Sequence, residues 1–179
     1  MPPPLRAAAA LGLSFRPAEE EDFDFIEALY LSTRAEEVAL ANWPEPLKTA
    51  FLVQQHRAQH HHYRTYYPHA ERLIVARAGR PIGRLYLDEW ADQIRIVDIS
   101  LVASSRGSGI GSALLRDVAA WAEDLAKGVS IHVETFNPAR RLYLRLGFAV
   151  AEHKGIYELM EWRADGLRRA AAYSPARKG

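Results

Sequence analysis

Between an apolar run ending near Val102 and an amphipathic stretch opening near Ser112 lies Arg106-Gly-Ser-Gly-Ile-Gly111. This link restricts the fold more than any other feature of the chain. A strand that enters a helix through glycines leaves the first helical amides without partners, and the helix dipole adds positive potential there. Lacking Cβ atoms, the glycines tolerate positive φ and let the oxygens of an anion approach the main chain. Arg106 contributes a mobile charge beside them. Leu114, Leu115, Val118, Ala122 and Leu125 form one stripe, which predicts a helix over Ser112 to Lys127 ended by Gly128. The same letters would also serve as an ordinary tight turn, so the loop must be judged in its surroundings.

Two phosphate-binding patterns are tested by the letters themselves. The P-loop ends in Gly-Lys-Ser/Thr, whereas this loop continues Gly111-Ser112-Ala113. The dinucleotide fingerprint needs a third glycine where Ser112 stands, and several further βα units after it. The remaining chain offers one short helix and two strands, too little for that fold.

Upstream, Leu13 to Pro17 reads as a strand, and Phe23, Ile26, Tyr30 and Thr33 recur near helical spacing over Glu20 to Leu40. Trp43-Pro-Glu-Pro46 interrupts that pattern, which resumes from Leu47 to Tyr67 as a second helix. From Arg72 the period shortens to that of strands: Leu73 to Arg77, Ile82 to Trp90 and Gln93 to Val102, an antiparallel meander. Strict alternation in the last of these puts Arg95, Val97, Ile99 and Leu101 on one face, and Ile94, Ile96, Asp98 and Ser100 on the other. After the glycine loop and its helix come a strand at Val129 to Thr135 and a short helix capped by Asn137-Pro138 and stopped at Gly147. Strands at Phe148 to Glu152 and Ile156 to Trp162 close the chain. The order β-α-α-β-β-β-α-β-α-β-β is an α+β arrangement: a mixed, mostly antiparallel sheet with one parallel βαβ crossover in its middle. Residues 1 to 12 and 164 to 179 lack an apolar period and read as tails, the second basic, around a single domain at 13 to 163.

The 179 residues suffice to bury about 70% of the unfolded surface without a staple, and the chain contains no cysteine. Disulfides, cysteine-ligated zinc and a cysteine nucleophile are thereby excluded, and a cytoplasmic location is expected. The net charge of +1 gives no global field for a polyanion, so nucleic acid is not an expected partner. Glu19 to Glu45 holds nine acids and one base, and the run from Glu19 to Asp24 suits the capped, solvated start of a helix. MPPPLRAAAALGL is too short in apolar residues for a signal core or a membrane span, so no membrane partner is expected. His56 and His60 share a helix face, but no acidic third ligand follows on it, so no metal site is expected.

Two motifs together resemble those of the GNAT superfamily of acyl-CoA-dependent N-acetyltransferases. Arg106, Gly109 and Gly111 match its pyrophosphate loop, after a strand with Ile99 and Leu101 and before Leu114-Leu115. Asn137, Ala139, Leu142-Tyr143 and Leu146-Gly147-Phe148 match a second signature in the right order. The resemblance implies acetyl-CoA as co-substrate, its diphosphate on Arg106, Gly107, Ser108, Gly109, Ile110, Gly111 and Ser112. Its pantetheine arm would pair with Leu101, Val102 and Ala103, and Asn137 and Arg140 would stand beside that groove. Tyr143 would be the donor to the departing sulfur.

Direct attack by an amine requires that the amine lose a proton. With a lysine-like pKa of ~10.4, about one molecule in 2500 is neutral at pH 7, a deficit of about 4.6 kcal/mol. Glu134, His132 and Asp98 are the candidate bases, and nothing in the letters chooses among them. The first two helices would wall the acceptor cleft, with Tyr30 and Arg34 as candidate substrate contacts. The expected acceptor is a small-molecule primary amine. A peptide or protein lysine, or a silent acyl-CoA-binding module, stays open, as does a homodimer that completes the cleft.

Overall fold

The computed structural model describes residues 3–164. The elements are β1 (Leu13–Pro17), α1 (Phe23–Ala39), α2 (Glu45–Tyr66), β2 (Glu71–Arg77), β3 (Arg80–Glu89) and β4 (Gln93–Leu101). They are followed by α3 (Ile110–Asp124), β5 (Gly128–Glu134), α4 (Arg140–Arg145), β6 (Ala149–Lys154) and β7 (Tyr157–Trp162). One seven-stranded sheet runs β1-β2-β3-β4-β5-β7-β6, and β4 with β5 forms its parallel pair. The other neighbours are antiparallel, so the expected α+β class and central crossover are what the chain adopts.

Strand alternation sorts the sheet into two chemically different faces. Leu85, Leu87, Ile94, Ile96, Val129, Ile131 and Val133 join α3 in the main core. On the opposite face Arg84, Tyr86, Ser130 and Glu134 are buried beneath α1 and α2. A polar layer therefore lies between the sheet and the first two helices.

Strict alternation in β4 fails at one place, with consequences for the site. Tyr86 pairs with Asp98 and Leu87 with Ile96, so Val97 is an extra residue, a β-bulge. Ile94 and Ile96 before it, and Ile99 and Leu101 after it, all face the α3 core. Arg95 and Asp98, assigned to opposite faces by simple alternation, consequently lie on the same polar face, bonded to Ser130 and to Arg84 respectively.

Other boundaries shift for local reasons. Pro46 sits inside the first turn of α2, where no amide hydrogen is needed. The left-handed residue that ends α3 is Ala126 at φ 54°, ahead of Gly128, and Leu125 is left exposed at 40%. The N-terminal segment expected as a tail is docked from Leu5 onward, with Ala8 fully buried. Asp117 of α3 accepts the amides of Arg6, Ala7 and Ala8 at 3.0, 2.7 and 2.9 Å, which gives three otherwise orphaned donors a partner. The basic tail expected from residue 164 falls, from 165 onward, outside the described residues. Among the described residues no helix is long and apolar enough to cross a membrane.

Candidate active site

The parallel pairing of β4 with β5 covers only Gln93↔Gly128 to Ile96↔Ile131. Beyond it β4 continues to Leu101 along β3, and β5 continues to Glu134 along β7. The two strands part at the Val97 bulge, so one backbone edge of β4 is open from Val97 to Leu101. The break in the middle of the sheet is a groove with unpaired main-chain groups along one wall.

The glycine loop stands at the mouth of this groove. Gly107 and Gly109 have φ of 72° and 84°, and Gly109 is the N-cap of α3. Among the described residues, the amides of residues 107–112 find no backbone carbonyl; Ala113 is the first that does, at Gly109 O, 3.0 Å. Six successive amides without backbone partners thus lie at the positive end of a fifteen-residue helix. A Cβ on Gly111 would come within 3.3 Å of Leu142 Cδ2, so this glycine also lets α4 lie close. Arg106 Nε donates to Leu101 O at 2.9 Å, which tethers the arginine at the rim.

Tyr143, on α4, is 4% exposed and packs edge-on against Phe148 at 5.7 Å. Burial pushes its hydroxyl pKa well above the ordinary value, and the Asp98 charge pushes it further. The group stays a protonated donor. Asn137 Oδ1 accepts the Ala139 amide at 2.9 Å in the turn ahead of α4, whose N-cap is Ala139 rather than the expected Asn137. Arg140 is held by the buried Glu158, Nε to Oε2 at 2.6 Å and Nη2 to Oε1 at 3.3 Å. Its guanidinium is thus already committed to a carboxylate.

The three candidate bases all lie on the polar face, in unequal surroundings. Asp98 accepts from Arg84 Nε (3.1 Å), Arg84 Nη2 (2.8 Å), Tyr63 Oη (3.2 Å) and Ser100 Oγ (2.8 Å). Burial opposes the Arg84 charge, but Asp98 outweighs it and holds the guanidinium above its usual pKa. Glu134 meets Arg34 Nη1 at 2.9 and 3.1 Å and receives the Tyr157 hydroxyl at 3.4 Å. His132 is exposed, and its Nδ1 accepts from Arg95 Nη2. Because guanidinium only donates, the imidazole proton must reside on Nε2. Burial, then Arg95 and Lys154, lower the His132 pKa and keep the ring neutral at pH 7.

Of the candidate acceptor contacts, Arg34 reaches the groove through Glu134, and Tyr30 is buried with its ring 5.3 Å from His56. His56 and His60 sit in an aromatic cluster with Phe23, centroids 5.4 and 5.6 Å away. Reading the letters did not single out Arg84 or Tyr157, which complete the network. A charged residue in each of two neighbouring apolar strands, Arg84 and Asp98, was the available signal.

Fold and groove together define a domain whose sheet opens between two parallel strands, with a run of amides lacking backbone partners at its mouth. The profile of the Acetyltransferase (GNAT) family matches residues 34–148, and the chain belongs to this family of acyltransferases. No protein of curated function matches it by sequence. Its fold is similar to the PaiA N-acetyltransferase from Thermoplasma acidophilum in complex with coenzyme A: TM-score 0.66, 15% identity, 85% of this chain and 99% of that one. A GNAT family acetyltransferase from Elizabethkingia anophelis with acetyl-CoA bound gives a TM-score of 0.56 at 17% identity, over 86% and 99% of the two chains. YncA, described as a putative acetyltransferase, from Salmonella typhimurium with its cofactor acetyl-CoA, gives 0.51 at 19% identity, over 86% and 94%.

Proposed function

We propose that the chain transfers the acetyl group of acetyl-CoA to a primary amine of a small molecule. One observation carries this reading. The open edge of β4 and the bare amides of residues 107–112 meet at a single mouth, where a long ligand with a diphosphate would satisfy both. The residues fit the co-substrate on that ground. Gly107, Ser108, Gly109, Ile110, Gly111 and Ser112 would hold the diphosphate, and Leu101, Val102 and Ala103 the pantetheine arm. Arg106 would exchange the Leu101 carbonyl for a phosphate oxygen. With Arg140 committed to Glu158, the exposed Arg141 and Arg145 are the α4 cations free to meet further phosphate.

Acetyl-CoA supplies an acyl carbon already activated as a thioester. The amine nitrogen forms a bond to that carbon, the carbon–sulfur bond breaks, and the amine's proton must leave while the sulfur gains one. Glu134 takes the amine's proton, directly or through one water, in this proposal. It stands at the end of β5 where the strands have parted, and its partners leave it more acceptor capacity than Asp98 has. Tyr143 donates a hydrogen bond to the sulfur. Transfer of its proton outright is uphill by about 2 kcal/mol for unperturbed groups, and burial of the phenol increases that figure. Stabilising developing charge is therefore its main role.

The test is thiol release from acetyl-CoA in the presence of small amines and, separately, peptides, with the acetylated product identified by mass. Amine-dependent release with small acceptors is expected. Acetyl-CoA binding with no release across the whole panel would leave a silent binding module instead.

A further inference from the structure

Among the described residues, one buried cation on the polar face has no ion-pair partner, and one buried carboxylate, Asp88, lies opposite it in register without pairing. Arg84 is paired with Asp98 and Arg34 with Glu134. Arg95 is 4% exposed, and among the described residues no carboxylate pairs with it. Its guanidinium contacts Ser130 Oγ at 3.3 Å, His132 Nδ1 and the Tyr67 side chain, all neutral groups. Among the described residues its buried Nε–H has no partner. Asp88 lies opposite Arg95 in register, yet its carboxylate accepts from Trp90 Nε1 at 2.9 Å and makes no ion pair. Burial accordingly lowers the Arg95 pKa, whereas its paired neighbours are raised.

A buried cation without a counter-ion is costly, and a partner of opposite charge removes that cost. The location says where such a partner would come from. Arg95 and Ser130 lie one register step before the last parallel pair, Ile96↔Ile131, and His132 lies one step after it. The guanidinium therefore points along the polar face toward the fork of the groove, where His132 is exposed. With Nδ1 accepting from Arg95, His132 carries its Nε2–H on the far side of the ring, away from the guanidinium. A guanidinium without an ion-pair partner is planar and matches the two oxygens of a carboxylate.

We infer that the acceptor is an amino carboxylate whose carboxylate is bound by Arg95 while its amine faces the fork. This rests on the acetyltransferase reading and names the acceptor class for that same site. Arg95 is then a specificity residue, distinct from the groups that act on the reacting bond.

The experiment compares matched acceptors at saturating acetyl-CoA: α- and ω-amino acids, their carboxamides, and the corresponding decarboxylated amines. With the wild-type enzyme, kcat/KM is expected to be at least 100-fold higher for the acids. Arg95→Met is expected to abolish that preference through the acceptor KM, with the KM for acetyl-CoA unchanged. Its melting temperature should be equal to or above wild type, because a buried unpaired charge is gone; a structural role would lower it instead. Should Arg95→Met not fold, Arg95→Lys keeps the charge but not the fork geometry and should raise the acceptor KM at least tenfold. Equal acetylation of acids and carboxamides by wild type, or an undiminished preference in Arg95→Met, overturns the inference and leaves the acetyltransferase reading standing. If no acceptor is acetylated, that reading fails. The anion site is then decided by thermal shift with the same amino acids: stabilisation of wild type alone supports it, and none contradicts it.

Discussion

Arg34 on α1 reaches Glu134 on β5, a hundred residues along the chain, and its Nη1 lies 2.9 and 3.1 Å from the two carboxylate oxygens. The same nitrogen is 2.5 Å from Glu37 Oε1, so one guanidinium links the first helix to the free end of the strand that leaves β4. Burial opposes the Arg34 charge, and Glu37 and Glu134 overcome it, holding its pKa above the usual value.

This contact joins α1, the proposed acceptor wall, and the proposed base as one unit. Glu134→Gln is expected to lower kcat by roughly 100-fold, the scale of a lost general base. Arg34→Gln is expected to lower it less, by disturbing the orientation of Glu134. A double-variant cycle on kcat should show a coupling of about 0.5–3 kcal/mol. Additive effects would separate the two residues functionally.

Tyr143→Phe tests the donor to sulfur. Turnover should fall tenfold or more, with acetyl-CoA affinity by calorimetry within about twofold of wild type. Because burial and the Asp98 charge raise the hydroxyl pKa, no alkaline loss of activity below about pH 10 should trace to this phenol. Unchanged kinetics in the phenylalanine variant would remove its role.

Asp98 and Arg84 predict a stability effect. Asp98→Ala strands a guanidinium that is 3% exposed and should cost about 3–5 kcal/mol in denaturant unfolding. Replacing both residues, Arg84→Met with Asp98→Leu, should recover most of that loss. A fully stable Asp98→Ala variant would contradict the ion-pair assignment.

His56 predicts a pH dependence with a definite sign. Its side chain is wholly buried, and burial lowers its pKa against the opposing 3.4 Å contact with Glu27; the Arg84 charge lowers it further and Asp98 raises it. Among the described residues its Nε2 has no partner. The unfolded chain therefore takes up a proton near pH 6.5 that the native state resists, so this residue weakens folding as pH falls below about 6.5. His56→Leu removes that proton uptake. Melting curves from pH 7 to 5 should show wild type losing more stability than the leucine variant, and parallel losses would exclude the buried histidine as the cause.

The loop and the helix after it were legible because glycines at fixed spacing and a stripe such as Leu114, Leu115, Val118 and Ala122 are local signals. The strand ladder was legible for the same reason, down to His132 and Glu134 sharing a face. The Val97 bulge was not. An extra residue in β4 is set by pairing with β3, and it moved Arg95 onto the face of Asp98. Nor was the docking of Arg6 to Ala8, which depends on one buried carboxylate, Asp117, more than a hundred residues away. The charge partners Arg34–Glu134 and Arg140–Glu158 are likewise long-range, so a list of candidate residues could not tell which were already engaged.

Amide hydrogen exchange with and without acetyl-CoA most directly probes whether the forked sheet and the bare amides hold the thioester nucleotide. Protection is expected in peptides spanning residues 97–112, from the open edge of β4 through the glycine loop, with little change in β1, β2 and β6. Protection confined to other elements, or none at saturating acetyl-CoA, would contradict the assignment of this groove.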